Sequence, residues 1–379
     1  MIGARERQPP SAPRGSFWPS ETQAALIRVA FSAPGETAAA WTRVRPQFEL
    51  DRLETGTFAL LPVLYRALAR GGVPEPQLPR LKGIYRSTWY RNTLLLEQTR
   101  MIVDALADAG IRFALVAGIG TAFRFYGGIG LRPTPAVELL LARREAQDAL
   151  RALERLGWGA SSEVEGGRAL RVLGADGHAC LLRFVLAPGV PADILLEDRE
   201  AQLEQLEIQG VALPVLSPAQ ELLAACVTGG RAKSLATIQW LVDVLAILRT
   251  APQIDWQRIG EHAVTMHQEL RLLDTLTVVS TYLEREDVEA ARRQLTTLGV
   301  PRRQRLAHLF CSGAITGVGG LPLTLGEHLE ETLEFPAPAA LRTLPRFLQR
   351  RWGLEHERQV PLHAVRRARA ALGARRANA

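Results

Sequence analysis

Lysine, cysteine and methionine are scarce in this chain. Of its 46 lysine and arginine residues only Lys82 and Lys233 are lysines, and there are three cysteines and three methionines. The arginine bias is more typical of a GC-rich genome than of a selected phosphate-binding surface. Cys180, Cys226 and Cys311 form no Cys-x-x-Cys pair, which argues against a disulfide framework or a zinc site and favours a reduced, cytoplasmic protein.

Long apolar runs and several common catalytic motifs are also absent. No run of about 18 uninterrupted apolar residues occurs, so no transmembrane helix is expected. The polar, proline-rich residues 1–16 contain no apolar signal core. The chain has no Gly-x-Ser-x-Gly elbow, Walker loop or His-Glu-x-x-His motif. The sequence therefore gives no support for an α/β-hydrolase, a P-loop NTPase or a zinc protease of the His-Glu-x-x-His type.

The positive charge is unevenly placed. Residues 341–379 hold ten arginines against two glutamates, whereas the whole chain carries a net charge of only +7. This tail, with Phe347, Trp352 and Leu354 for a shallow apolar contact, is a candidate surface for nucleic acid, a membrane surface or an acidic partner. A solvated terminal helix or a frayed tail is the favoured alternative.

Composition shifts and periodicity divide the chain into five segments. With 47% hydrophobic and 22% charged residues, it has an ordinary composition for a soluble globular protein, long enough for two or three modules. We expect a flexible arm, an N-terminal helical segment, a central αβ core, a C-terminal helical domain and a basic tail, with bounds 1–19, 20–106, 107–215, 216–335 and 336–379.

The central stretch is the most informative. β-Branched and large apolar residues predict strands at Arg112–Ala117 and Ala136–Leu141, with glycines and a short helix at Thr121–Tyr126 between them. A helix from Arg144 to Leu156 is expected to follow and to end at Gly157.

Further signals flank this stretch. Asp-Gly between two apolar runs predicts a hairpin of Arg168–Leu173 and Ala179–Leu186. Ser20 with Gln23, and Ser217 followed by Pro218 and Gln220, have the pattern of helix N-termini.

Taken together, these elements resemble the bacterial family of uncharacterised nucleotidyltransferases. Members carry Lys-Gly after the first strand, then Arg-Pro, and Asp-x-Asp opening the second strand; here the residues are Ala117-Gly118, Arg132-Pro133 and Ala136-Val137-Glu138. The segments LSPAQELLAACVTGGR and IQWLVDVLAIL also resemble the family's C-terminal half. The resemblance spans about residues 22–335 and implies an α+β fold: a nucleotidyltransferase-type mixed sheet of three to five strands with N- and C-terminal helical segments.

The resemblance also implies a chemistry that this chain only partly supports. Nucleotidyl transfer uses two divalent ions held by carboxylates, Mg²⁺ in the usual case. Aligned with the family, Ala136 and Leu181 replace two aspartates, Arg183 replaces a histidine, and Glu138 is the one remaining acid. A single glutamate is a poor holder for Mg²⁺.

Glu138 is therefore the candidate catalytic and metal-binding residue. Gly118, Gly120, Arg132 and Arg183 are candidates for nucleotide binding. Each has a structural alternative: Glu138 as a solvated acid or a partner of Arg132, the glycines as tight packing sites, and the arginines as surface residues.

Three hypotheses remain open. A degenerate nucleotidyltransferase would bind a nucleotide, a peptide or a protein partner in a biosynthetic context. An atypical active enzyme would transfer NMP from an NTP and would need other acids, for which Glu145, Asp176 and Asp243 are candidates, although Asp243 is better explained as a hydrogen-bonded structural acid. The third is a non-enzymatic scaffold that uses the basic tail.

Overall fold

A computed structural model describes residues 17–164, 167–196, 203–229, 238–312 and 321–377. Residues 1–16 of the predicted arm and the glycine-rich stretch 313–320 lie outside these ranges, as does Gly230 in the aligned segment after Cys226. Phe17, the first described residue, is buried and packs edge-on against Trp240 with ring centroids 6.1 Å apart.

The N-terminal part is helical, as its periodicity predicts. Ser20 and Gln23 form the reciprocal capping box expected at the start of the first helix. The α-helices are α1 Glu21–Ala30, α2 Thr37–Val44, α3 Leu61–Arg70 and α4 Leu78–Asp108, with short 3₁₀ turns at Arg45–Gln47, Leu50–Arg52 and Thr55–Leu60.

A mixed seven-stranded sheet forms the centre of the molecule, in the order β3-β4-β5-β2-β1-β9-β8. β2 pairs in parallel with β5 and antiparallel with β1, and β1 pairs in parallel with β9. The strands are β1 Phe113–Leu115, β2 Val137–Leu141, β3 Gly159–Val164, β4 Ala169–Leu173, β5 Ala179–Arg183, β6 Val185–Ala187, β7 Val190–Pro191, β8 Glu204–Ile208 and β9 Val211–Val215.

The predicted mixed-sheet α+β fold is confirmed, but the predicted three to five strands were too few. The strands that were not predicted have weak patterns: β3 has the sequence GASSEV, and β8 and β9 contain charged residues or proline. Tertiary pairing decides their conformation, since β9 inserts beside β1 at Leu115 and Val215. The predicted second hairpin strand is also shorter and is followed by β6, which pairs with β7 in a separate small sheet.

Both faces of the central strands are buried, and this positions the site. Leu139 and Leu141 of β2 belong to one apolar cluster with helix α4, whereas Leu140 belongs to a second cluster that includes helices α8 (Pro218–Gly229) and α9 (Gln239–Thr250). Because side chains alternate along a strand, Glu138 lies on the same face as Leu140, towards α8 and α9.

The other elements that the structure describes are helical. The predicted start of α8 is present, since Ser217 and Gln220 exchange backbone-to-side-chain hydrogen bonds. The helices are α5 Gly118–Tyr126, α6 Ala146–Arg155, α7 Asp193–Leu196, α8 Pro218–Gly229, α9 Gln239–Thr250, α10 Trp256–Thr265, α11 Glu269–Val279, α12 Glu286–Thr296, α13 Arg302–Cys311, α14 Leu321–Glu331, α15 Ala337–Trp352 and α16 Val360–Ala377, with 3₁₀ turns at Ile129–Leu131, Arg143–Glu145 and Glu357–Gln359.

The basic tail is helical and partly packed. Phe347 is buried and lies 4.9 Å from the ring of His328, and Trp352 and Leu354 pack against the same small cluster. Phe347 therefore serves internal packing and not a shallow contact, whereas Trp352 and Leu354 are half-buried. Within the described ranges, no helix combines the length and apolar character needed to cross a membrane.

Candidate functional site

A cavity of about 450 Å³ lies between the Glu138 face of the sheet and helices α5, α8, α9, α14 and α15. Its apolar lining includes Trp240, Ile247 and Leu323. Its charged lining balances formally, with four arginines and four acids: Arg132, Arg168, Arg183, Arg351, Glu138, Glu221, Asp243 and Glu327.

Glu138 is held by an arginine of the neighbouring strand. Its cross-strand partner in the parallel β2–β5 pair is Leu181, and Arg183, two residues further along, points to the same face. Arg183 Nε donates to Glu138 Oε2 at 2.6 Å, and both side chains are about one-fifth exposed. Glu138 is therefore neither a free solvated acid nor the ion-pair partner of Arg132, so neither of the two structural alternatives describes it.

Arg132 belongs to a second, fully buried ion pair. Its Nε and one terminal nitrogen each donate to an oxygen of Asp243 at 2.8 Å. Tyr126 and Gln239 also donate to Asp243, Gln239 at 2.8 Å. The carboxylate thus accepts four hydrogen bonds, which agrees with the prediction that Asp243 is a hydrogen-bonded acid. Although burial lowers the pKa of Arg132, Asp243 more than offsets this and raises it overall.

The two predicted glycines shape the start of α5 and do not themselves line the cavity. Gly118 has φ +68°, and a Cβ on Gly120 would lie 3.2 Å from Val215 Cγ1, so close packing against β9 accounts for that glycine. Ala117, which does line the cavity, adopts φ 56° and ψ −158°, a combination that is strained for any residue except glycine.

A family model described as an uncharacterised nucleotidyltransferase matches residues 57–284, more than half of the chain. The chain belongs to this family. The match is narrower than the predicted span of 22–335, and α14 to α16 lie beyond it. A search of curated proteins found no match.

The family implies divalent metal ions, but the carboxylates that the structure describes do not form a donor set for one. Among the described residues, no group of three or more His, Cys, Asp and Glu side chains is placed to hold a metal ion. Of the acids proposed to refill the site, Asp243 lines the cavity, but Glu145 and Asp176 do not. Asp176 instead accepts hydrogen bonds from Gln98 and from the backbone of His178.

Glu221 is a cavity acid that was not predicted. It lies on α8, is buried, and accepts a hydrogen bond of 2.9 Å from the Thr121 hydroxyl. Burial is the main cause that raises the pKa of its carboxyl to about 7, and Asp243 adds to the rise. Arg124 and Arg132 act in the opposite direction. Its position directly before Leu222 and Leu223 was the sequence feature from which a buried acid could have been predicted.

Three further charged residues of the cavity also escaped prediction, because they come from distant elements. Arg168 precedes β4, Glu327 lies on α14 and Arg351 on α15. The patterns around them in the sequence are those of ordinary solvent-exposed charges. Only the packing of α14 and α15 over the cavity brings them together.

Proposed function

We propose that this family member binds a ligand in the cavity without metal-dependent nucleotidyl transfer. One observation carries the proposal: the guanidinium of Arg183 lies 2.6 Å from the carboxylate of Glu138. The one acid on the metal-binding side of β2 is thereby neutralised by a cation that belongs to the protein. A magnesium ion would have to displace this guanidinium to reach Glu138.

The neighbouring positions support the same conclusion. Ala136 and Leu181 occupy the places where the family resemblance implies aspartates, and neither side chain offers an oxygen ligand. Glu138 and Leu181 are directly opposed on adjacent strands. An acid at position 181 would therefore lie beside Glu138, and a leucine there leaves that side of the site apolar.

The alternative of an atypical active enzyme needs a replacement carboxylate, and two cavity acids that could serve, Asp243 and Glu221, are already engaged. Asp243 accepts four hydrogen bonds, two of them from Arg132. Glu221 is bonded to Thr121, and burial raises the pKa of its carboxyl to about 7, which disfavours the charged form that a metal requires.

The cavity is suited to a ligand with a polar part and an apolar or aromatic part. Its lining combines ion pairs with the apolar side chains of Trp240, Ile247 and Leu323. A nucleotide, or a segment of a peptide or protein partner, has this character. We place this binding role in a cytoplasmic, bacterial biosynthetic setting as part of the same proposal.

Calorimetric titration with ATP, CTP, GTP and UTP, each with and without Mg²⁺ or Mn²⁺, tests the proposal. We expect any affinity of the unmodified protein to be independent of the metal, because the cavity acids that the structure describes are already held by arginines or by Thr121. Magnesium-dependent NMP transfer that is lost in Glu138→Ala would overturn the proposal and favour the atypical enzyme.

A restored variant provides the matched control. Ala136→Asp, Glu138→Asp and Leu181→Asp together rebuild the acids, and Arg183→His removes the competing guanidinium. We expect metal-dependent nucleotide binding in this fourfold variant, and weaker metal dependence when Arg183 is retained. A folded fourfold variant that shows no metal dependence would refute the alignment of these positions with the family.

A further inference from the structure

Two arginines from separate elements meet at one carboxylate oxygen in the wall of the cavity. Arg168 donates to Glu327 Oε2 at 3.3 Å, and Arg351 Nε donates to the same oxygen at 3.1 Å. The Glu327 and Arg168 side chains are only 9% and 13% exposed, whereas that of Arg351 is 37% exposed. The two guanidinium groups thus converge on a position that is largely screened from solvent.

A second acid contacts Arg168 but lies outside the cavity. Glu331, one turn after Glu327 on α14, also accepts from Arg168, at 2.7 and 3.0 Å, but does not line the cavity. With both acids present, the four-residue cluster is neutral. If Glu327 withdrew, the cluster would keep one net positive charge that faces the cavity.

The acid at this position comes from a part of the chain beyond the family match. Glu327 and Arg351 follow the matched residues 57–284, whereas Arg168 lies within them. Helix α14 is closely seated, since a Cβ built on Gly189 would lie 2.7 Å from the backbone oxygen of Glu330. The C-terminal helices therefore place a carboxylate against an arginine of the family core.

We propose that Arg168 and Arg351 form a binding site for a phosphoryl group, which Glu327 fills as an internal anion in the structure described. Guanidinium groups bind phosphate and carboxylate oxygens through the same forked donors. A phosphoryl group offers several oxygens and can accept from two guanidinium groups that approach from different directions. The inference rests on the proposed metal-independent binding role, and it names the ligand class of the cavity.

Titration of the metal-free protein with inorganic pyrophosphate, followed by calorimetry, tests the site. We expect Glu327→Gln to bind pyrophosphate at least tenfold more tightly than the unmodified chain, because the amide retains the shape but not the charge. Adding Arg351→Gln to that variant should abolish the gain. Glu331→Gln is the matched control, since it removes an acid from Arg168 without opening the cavity, and it should show no gain.

Other results would contradict the inference. An equal gain in Glu331→Gln would show a general effect of charge, and no gain in a folded Glu327→Gln would show that no anion site is present. If Glu327→Gln does not fold, Glu327→Asp withdraws the carboxylate by one methylene and should bind pyrophosphate about threefold more tightly. No gain in that variant would also overturn the inference.

Additional ligands distinguish the possible sources of the phosphoryl group. The experiments also distinguish failure of this inference from failure of the proposed metal-independent role. ATP and ribose 5-phosphate distinguish a nucleotide from a sugar phosphate, and tighter binding of glutarate than of pyrophosphate would overturn the phosphoryl assignment. If the Glu327 variants show no gain in pyrophosphate affinity, the metal-independent role is not affected, because that role is tested on the unmodified chain with Mg²⁺ and Mn²⁺. Magnesium-dependent transfer by the unmodified chain would refute the role whatever the Glu327 variants show.

Discussion

Replacing the buried acid of α8 is expected to change how the stability of the protein depends on pH. In the folded chain, burial raises the pKa of the Glu221 carboxyl from 4.5 to about 7. The folded state therefore binds this proton more tightly than the unfolded state does. Its stabilising effect is fully present below about pH 4.5 and is lost as the pH rises towards 7, since the stability falls wherever the folded state binds more protons.

The size of the effect follows from the two pKa values. A rise of one pKa unit corresponds to about 1.4 kcal/mol, so the difference here amounts to about 3 kcal/mol in total. Most of it, about 2 to 3 kcal/mol, falls between pH 5 and pH 8. Glu221→Gln removes the titration but keeps an oxygen that accepts from Thr121, so the variant should gain stability relative to the unmodified chain over that interval.

Urea unfolding followed by tryptophan fluorescence, at several values between pH 5 and pH 8, measures the difference in the free energy of unfolding between the two chains. Glu207→Gln, on the exposed edge of β8, controls for the loss of a carboxylate as such. A difference between Glu221→Gln and the unmodified chain that stays constant over this range would refute the reasoning, because it would show that the buried carboxyl does not titrate there.

Three other substitutions test the packing around the cavity. Asp243→Asn should lower the free energy of unfolding by about 3–5 kcal/mol in urea, since it leaves the charge of Arg132 buried without its partner; a loss below about 1 kcal/mol would contradict this. Ala117→Gly should raise the melting temperature by relieving strain of about 1 kcal/mol, and a lower melting temperature would show that the strain is absent. Gly189→Ala should lower the melting temperature more than Gly353→Ala does, because both glycines have positive φ but only the first would place a Cβ 2.7 Å from a backbone oxygen of α14; equal losses would contradict the close contact.

Much of the central fold could be predicted because its signals are local. The capping pair of Ser20 and Gln23 and the glycine-bounded strands around β1 and β2 depend on neighbouring residues alone. Strands β3, β8 and β9 have weak local patterns, and their conformation depends on pairing across the sheet. The number of strands was therefore underestimated although the type of fold was predicted correctly.

In the candidate site, too, individual residues could be predicted from the sequence but their long-range contacts could not. Glu138, Arg132 and Arg183 were identified in the sequence, and all three line the cavity. How they pair was not predicted, because the pairs join residues separated by 45 positions, for Arg183 and Glu138, and by 111 positions, for Arg132 and Asp243. Burial adds a second limit: the raised pKa of the Glu221 carboxyl depends on helices that pack around it, which no sequence pattern encodes.

The ion pairs also bear on how selective the cavity is. Two divalent metal ions bring four positive charges to a nucleotide in ordinary two-metal chemistry. Here four arginines supply the same formal charge, but the acids of the cavity balance them within the chain. A strongly anionic ligand must therefore displace an internal carboxylate, whereas a neutral or zwitterionic ligand need not. Of these acids, Glu327 alone comes from beyond the family-matched residues 57–284, so the C-terminal helices can change the anion preference of the cavity without any change in the family core.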